Sequence, residues 1–348
     1  MKHPAEGDAV LSIAAAVALS VVSFSGGAAS RHPAKSWKAS SHEARKVEAP
    51  IDSTAVNDPG LAQVVGPGVR GAAVLRAQIL LARAHFSCGE IDGRYGANLR
   101  GAIADFQTAH GLEAGGIVAQ ETWRILNADT APALVRVTIT PEDVAGPFIP
   151  VPEDMMEKAK LPALSYRSPL EGLAEKYHSS PALLKKLNPG SGFDSAGEEI
   201  LVPNVEVPPP AKAAAVVVSK SRRSVAALDA EGKILSRYPA TSGSEHDPLP
   251  IGKWKILGVG HDPQFHYNPE LFWDAKGSDG KAVILPGPNN PVGVAWIDLS
   301  KEHYGIHGTP EPSQIGKTQS HGCIRLTNWD VTELSKMVGP GTPAILEE

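Results

Sequence analysis

Two cysteines in 348 residues leave no room for a disulfide framework. A basic excess is missing too. The chain carries 33 Lys and Arg against 38 Asp and Glu, a formal net charge of −5, and nucleic-acid binding ordinarily needs the opposite balance to neutralise phosphates. The apolar stretch near the N-terminus is short for a bilayer span, which takes ~20 residues. Residues 9–30 are uncharged, and their apolar core, residues 10–24, is 15 long. That length suits the hydrophobic region of a signal peptide, and small residues follow it at 26–29. Residues 1–29 are therefore expected to direct export to the periplasm or cell wall. Glu6 and Asp8 beside Lys2 keep an uncleaved membrane anchor as the alternative. No C-x2-C spacing occurs to accompany the histidines, so a zinc site has no full sequence signature.

What is abundant is glycine, 34 residues, and proline, 30, which favour turns, linkers and β-structure over one helical bundle. The length allows two or three domains. Residues 30–66 are polar and aperiodic and read as a flexible tether. From 67 to 128 the pattern is helical: Leu75, Ile79 and Leu80 share one face, as do Leu99, Ile103 and Phe106, with Gly111 as a stop. Between these helices, CGEIDGRYG forms a turn on Asp92-Gly93, and Cys88 is expected as a buried apolar thiol. A connector, 129–162, leads to a second unit at 163–204. That unit has LSYRS as a weak first strand, two short helices, a break at Asn188-Pro189-Gly190 and the strand EEILVP. Residues 205–212 form a proline-rich spacer expected to hold its neighbours apart. The last segment, 213–348, is mainly β, with a hairpin expected at Asp229–Gly232.

HGTPEPSQIGKTQSHGCIRL, residues 307–326, concentrates the chemistry. Cys323 admits three readings: a nucleophile, a metal ligand, or a small buried residue. A thiol nucleophile needs a base, and His307 and His321 are both candidates. In a strand His321 and Cys323 would project to one face, whereas on a turn they need not. Gly322 leaves space for a carbonyl to approach the amides of residues 321–323, a possible oxyanion hole.

HGT at 307–309 followed by SHGCIRL at 320–326 resembles the active-site motif of bacterial L,D-transpeptidases. YGIHGT, PGPNNPVGVAWIDL and LPIGKWKI look like the same family's catalytic domain, over about 135 residues. IDGRYG, AIADFQTAHGL and GGIVAQETWRIL resemble a small helical peptidoglycan-binding domain, and residues 163–204 look like a βααβ lysin motif. The resemblance implies a multidomain chain with a β-rich catalytic domain. Cys323 would be the nucleophile and His307 its base, oriented by the backbone carbonyl of Gly308. His321 would support the site and, with Gly322, the oxyanion. Ser320, Arg325, Tyr304 and Trp273 become candidates for substrate contact, Arg325 standing where Asn is commoner. Residues 260–280 would form a lid or cleft wall, with His261 and His266 as polar loop residues.

The implied reaction is cysteine-dependent acyl transfer from a tetrapeptide stem to an amine, giving a 3→3 cross-link, with no cofactor and no metal. A lipoprotein lysine or water is the alternative acceptor. The partner is peptidoglycan, no nucleic acid is expected, and the chain is expected to be a monomer. The non-enzymatic alternative is a peptidoglycan-binding scaffold. Cys88 and Cys323 should remain apart, because a disulfide between them would silence the site.

Overall fold

A computed structural model describes residues 51–348. The expected signal segment, and the expected tether up to residue 50, lie outside the described residues. Residues 51–66 depart from the tether reading. Asp52 caps helix α1 (Ser53–Asn57) by accepting from the Thr54 and Ala55 amides. Val56 and Val65 are fully buried, and Val65 bridges to Val118. The segment is polar in composition, but two of its three valines are spaced to close the helical unit from outside, which aperiodicity alone does not show.

That unit contains α2 (Ala72–Arg83), α3 (Ala97–Ala109) and α4 (Gln120–Leu126). The expected apolar faces are buried: Leu75, Ile79 and Leu80 on α2, and Leu99, Ile103 and Phe106 on α3. Gly111, at φ +70, follows the end of α3 in a conformation that suits a helix stop. The Asp92-Gly93 turn is fixed by Asp92, which accepts from the Arg94 amide and from Gln78. Cys88 is buried, and desolvation pushes its thiol far above the ordinary range.

The second unit begins earlier than the sequence pattern suggests. Strand β1 (Leu134–Thr138) lies in the expected connector and pairs antiparallel with β2 (Glu199–Pro203). LSYRS is not a strand. Its Leu164 is instead fully buried against Tyr267 and Ile284 of the last domain. Between the two strands run α5 (Met155–Lys158), α6 (Pro169–Lys176) and α7 (Pro181–Leu187). Ser168-Pro169 and Ser180-Pro181 start the last two helices. Each serine hydroxyl caps an amide, and each proline sits where no amide donor is needed. Leu173, Leu184, Phe193, Ile200 and Val202 form this unit's core.

The last domain is built on a nine-stranded sheet. In chain order its strands are β3 (Ala215–Ser219), β4 (Ser224–Leu228), β5 (Ile234–Pro239), β6 (Thr241–Ser242) and β7 (Gly252–His261). After a separate hairpin, β8 (Phe265–Tyr267) with β9 (Ala282–Ile284), come β10 (Ala295–Leu299), β11 (Gly305–His307), β12 (Ile324–Arg325) and β13 (Pro343–Glu347). The order across the sheet is β5-β4-β3-β13-β7-β10-β11-β12-β6. Helix α8 (Asn328–Met337) covers it, burying Val331, Leu334 and Met337. The expected hairpin joins β4 to β5, with Asp229 accepting from the Glu231 and Lys233 amides.

The proline-rich spacer does not hold its neighbours apart: the Leu164 amide donates to the Pro286 carbonyl and the Asn289 amide to that of Leu164, and the helical unit joins both. The Ser87 amide donates to the Arg237 carbonyl and the Arg237 amide to that of His85, so residues 85–87 extend the β5 edge. The Ile91 amide donates to His178 of the second unit. Arg237, 2% exposed, carries its guanidinium into the helical unit, where Nε lies 3.2 Å from Asp105. Hydrogen bonds and a buried ion pair across the junctions outweigh what an extended linker would do alone.

Candidate active site

Parallel pairing of β11 with β12 places His307 opposite Arg325 and Ile306 opposite Ile324. Cys323 directly precedes β12, so the thiol and His307 line the same cavity, of about 860 Å³. Its rim includes Met155 of α5, Phe265 and His266 of β8, and Phe272 from the segment after it. The expected lid or cleft wall is a short hairpin and the chain that follows, which line the cavity and pack against residues 151–164.

Local chemistry shapes the loop before Cys323. Gly322 sits at φ +96, and a Cβ there would lie 2.8 Å from the Tyr304 ring. Ser320 is buried: its hydroxyl accepts from the Gly243 amide at 2.7 Å and donates to the Cys323 carbonyl at 2.6 Å. With its donor and one acceptor site used on backbone, it braces the loop. The amides of His321, Gly322 and Cys323 donate to no group among the described residues, as an oxyanion hole requires.

His307 is 4% exposed, with Nδ1 2.7 Å from the Gly308 carbonyl. With Nδ1 carrying the proton, Nε2 is left as the free acceptor. Burial, then the nearby Arg325 charge, pulls its pKa down to about 3, so the imidazole is neutral at pH 7. Trp296 stacks on it, ring centroids 5.4 Å apart. Burial raises the Cys323 pKa, while a backbone hydrogen bond at Gly305 and the Arg325 charge act the other way. Arg325 makes no ion pair among the described residues. Its charge favours negative charge on sulfur and disfavours imidazolium.

His321 lines the same cavity. Its Nε2 lies 2.8 Å from Asp274, and its ring packs edge-on to Phe272 and beside Trp273. Trp273 is 60% exposed, stacks on His246 and does not line the cavity, contrary to its place among the contact candidates. Tyr304 and Arg325 do line it. Among the described residues no three His, Cys, Asp or Glu side chains are grouped to hold a metal ion.

Asn328 escaped the sequence reading, because nothing in the local pattern distinguishes it from a helix-start residue. It is 2% exposed, and its Oδ1 lies 2.2 Å from where a Gly308 Cβ would stand and 2.1 Å from a Gly293 Cβ. Both glycines are therefore needed for the loop to close on this amide.

Residues 213–346 match the YkuD model, described as the L,D-transpeptidase catalytic domain, and residues 70–126 match a peptidoglycan binding domain model. YkuD of Bacillus licheniformis, whose name assigns it to the L,D-transpeptidases, is 33% identical over 175 residues, half of this chain and 90% of that protein. YkuD of Bacillus subtilis is 30% identical over the same coverage. The L,D-transpeptidase crystal structure from Xylanimonas cellulosilytica superposes with a TM-score of 0.36 at 17% identity, covering 83% of this chain and all of that one. The chain belongs to the L,D-transpeptidase family and carries a helical peptidoglycan-binding region, so its partner is peptidoglycan.

Proposed function

We propose that this protein forms 3→3 cross-links in peptidoglycan, with Cys323 as nucleophile and His307 as general base. The observation that supports the reading is the β11–β12 pairing, beside which a neutral imidazole and the thiol, which donates to the His303 carbonyl at 3.5 Å, line one cavity. His307 Nε2 takes the thiol proton as sulfur attacks the carbonyl at the L-centre of diaminopimelate in a tetrapeptide stem. The tetrahedral oxyanion is held by the amides of residues 321–323. Collapse breaks the C–N bond, and D-Ala leaves with the proton from His307, leaving a thioester. The amine of a second stem then attacks. Its proton passes to His307, a C–N bond forms, the C–S bond breaks, and the imidazolium returns the proton to sulfur. His321 acts through Asp274 as a brace between lid and loop. We place the site outside the membrane, where stem peptides are found, with residues 1–29 directing export.

The test is intact-protein mass spectrometry with a tetrapeptide donor, followed by product analysis with an amine acceptor. The expected results are a thioester adduct on the native chain, none on Cys323→Ala, and acylation slowed about 10²–10⁴-fold in His307→Gln. An unchanged rate in His307→Gln overturns the assignment of the base. Tripeptide without dimer would make the acceptor water rather than an amine.

A further inference from the structure

Glu175 belongs to α6 of the second unit, outside the residues matched by the catalytic-domain model. Both its carboxylate oxygens lie 3.1 Å from Asn328 Nδ2, although the two residues are 153 apart in sequence. Tyr166 donates its hydroxyl to the same carboxylate at 2.9 Å. The Asn328 amide group also donates to the Pro288 carbonyl, while its Oδ1 accepts from the Val294 amide. Acceptors thus surround the nitrogen end of this side chain, and the oxygen end faces Val294, Gly293 and Gly308. The Gly308 carbonyl is the group that orients His307.

The contact lies in a larger seam. The Leu164 amide donates to the Pro286 carbonyl, and the Asn289 amide returns a bond to Leu164. Asn289 Nδ2 donates to the Ser165 carbonyl at 2.8 Å. A Cβ on Gly287 would stand 2.4 Å from the Leu164 carbonyl oxygen, so only glycine allows this approach. The PGPNNPVG loop, which leads into β10 beneath His307, is therefore seated on residues 164–175.

We propose that Glu175 is a positioning residue for the reaction. It fixes the Asn328 amide, which holds the Gly308 peptide and so aims His307 Nε2 at Cys323. This rests on the reading of His307 as base. Burial raises the Glu175 pKa to about 7; in its ionised form the carboxylate only accepts, which favours one orientation of the Asn328 amide, with nitrogen toward Glu175 and oxygen toward Gly308. Without it the amide keeps only its bonds to Pro288 and Val294, and the backbone at Gly308, on which its oxygen packs, is held less firmly. The second unit is then part of the catalytic apparatus as well as a neighbour to it.

The experiment uses the full chain and single-turnover acylation by a soluble tetrapeptide donor. Glu175→Leu should lower the maximal acylation rate about ten- to a hundredfold, as expected for a displaced base, with little change in the donor concentration at half-maximal rate. Glu175→Gln retains an acceptor oxygen and should stay within about threefold of the native rate. In a His307→Gln background Glu175→Leu should have no further effect, which a general loss of structure would not reproduce. If Glu175→Leu fails to fold, Tyr166→Phe removes one bond to the carboxylate and should slow acylation about two- to fivefold. A native rate in folded Glu175→Leu, or an equal loss in the His307→Gln background, overturns the proposal. If His307→Gln alone acylates at the native rate, it is the base assignment that has failed.

Discussion

Replacing Gly322 by alanine tests the geometry around Cys323 most directly. The residue sits at φ +96, a backbone region that costs an L-residue ~1–2 kcal/mol. The new methyl would also stand 2.8 Å from Tyr304 Cε1 and 3.1 Å from Cζ. The ring is partly buried against the main core of the domain and cannot swing away freely. Overpacking of this kind costs ~1–3 kcal/mol, so the folded chain should lose about 2–5 kcal/mol in all. If the loop yields instead of the ring, the amides of residues 321–323 move, and a 1 Å displacement lowers acylation about 10²-fold. Urea denaturation measures the first effect and thioester formation on intact protein the second. In a Tyr304→Ala background, compared with Tyr304→Ala alone, the same glycine substitution should cost only the backbone part. A Gly322→Ala protein with native midpoint and acylation within twofold of native would refute this account of the loop.

Two further outcomes follow from buried charges. Arg237→Met removes the partner of Asp105 at the junction with the helical unit, and breaking a buried pair costs ~3–5 kcal/mol. Denaturant unfolding should show a loss of that size, and a change below ~1 kcal/mol would mean that Arg222, which also contacts Asp105, suffices alone. Burial raises the pKa of Asp330 from 3.8 to about 7. The native state then holds a proton that the unfolded chain releases, so stability falls as pH rises from about 4 to 7, by up to about 4 kcal/mol. Asp330→Asn should lack that part of the decline and exceed the native chain in stability at pH 8 but not at pH 4. Parallel melting-temperature curves across this range for the two proteins would contradict the assignment.

The local patterns of the chain carried a good deal. Leu75, Ile79, Leu99 and Phe106 recur at helical spacing because one face of each helix must be buried, and they are buried. The Asp92-Gly93 and Asp229–Gly232 turns were legible because their residue types favour those backbone angles. The joint HGT and SHGC motif pointed to the family whose catalytic-domain model matches residues 213–346.

What depends on pairing across the chain was not legible. The second unit's first strand was sought at LSYRS, but β1 forms thirty residues earlier. Leu164 is instead part of a core shared with the lid, and no local preference reports that competition. Residues 51–66 looked like a tether until Val56 and Val65 found a core to enter. Ser320 and Trp273 have side chains suited to substrate contact, yet hydrogen bonding turns the first inward and stacking carries the second to the rim. The sequence by itself determined which residue types are available to do chemistry and where the helices and turns begin. Only the tertiary structure decided which of them meet: Arg325 opposite His307, His321 against Asp274, and Asn328 between Glu175 and Gly308. Strand register and helix docking are set by the summed burial and hydrogen bonding of distant segments, and no window of sequence contains that sum.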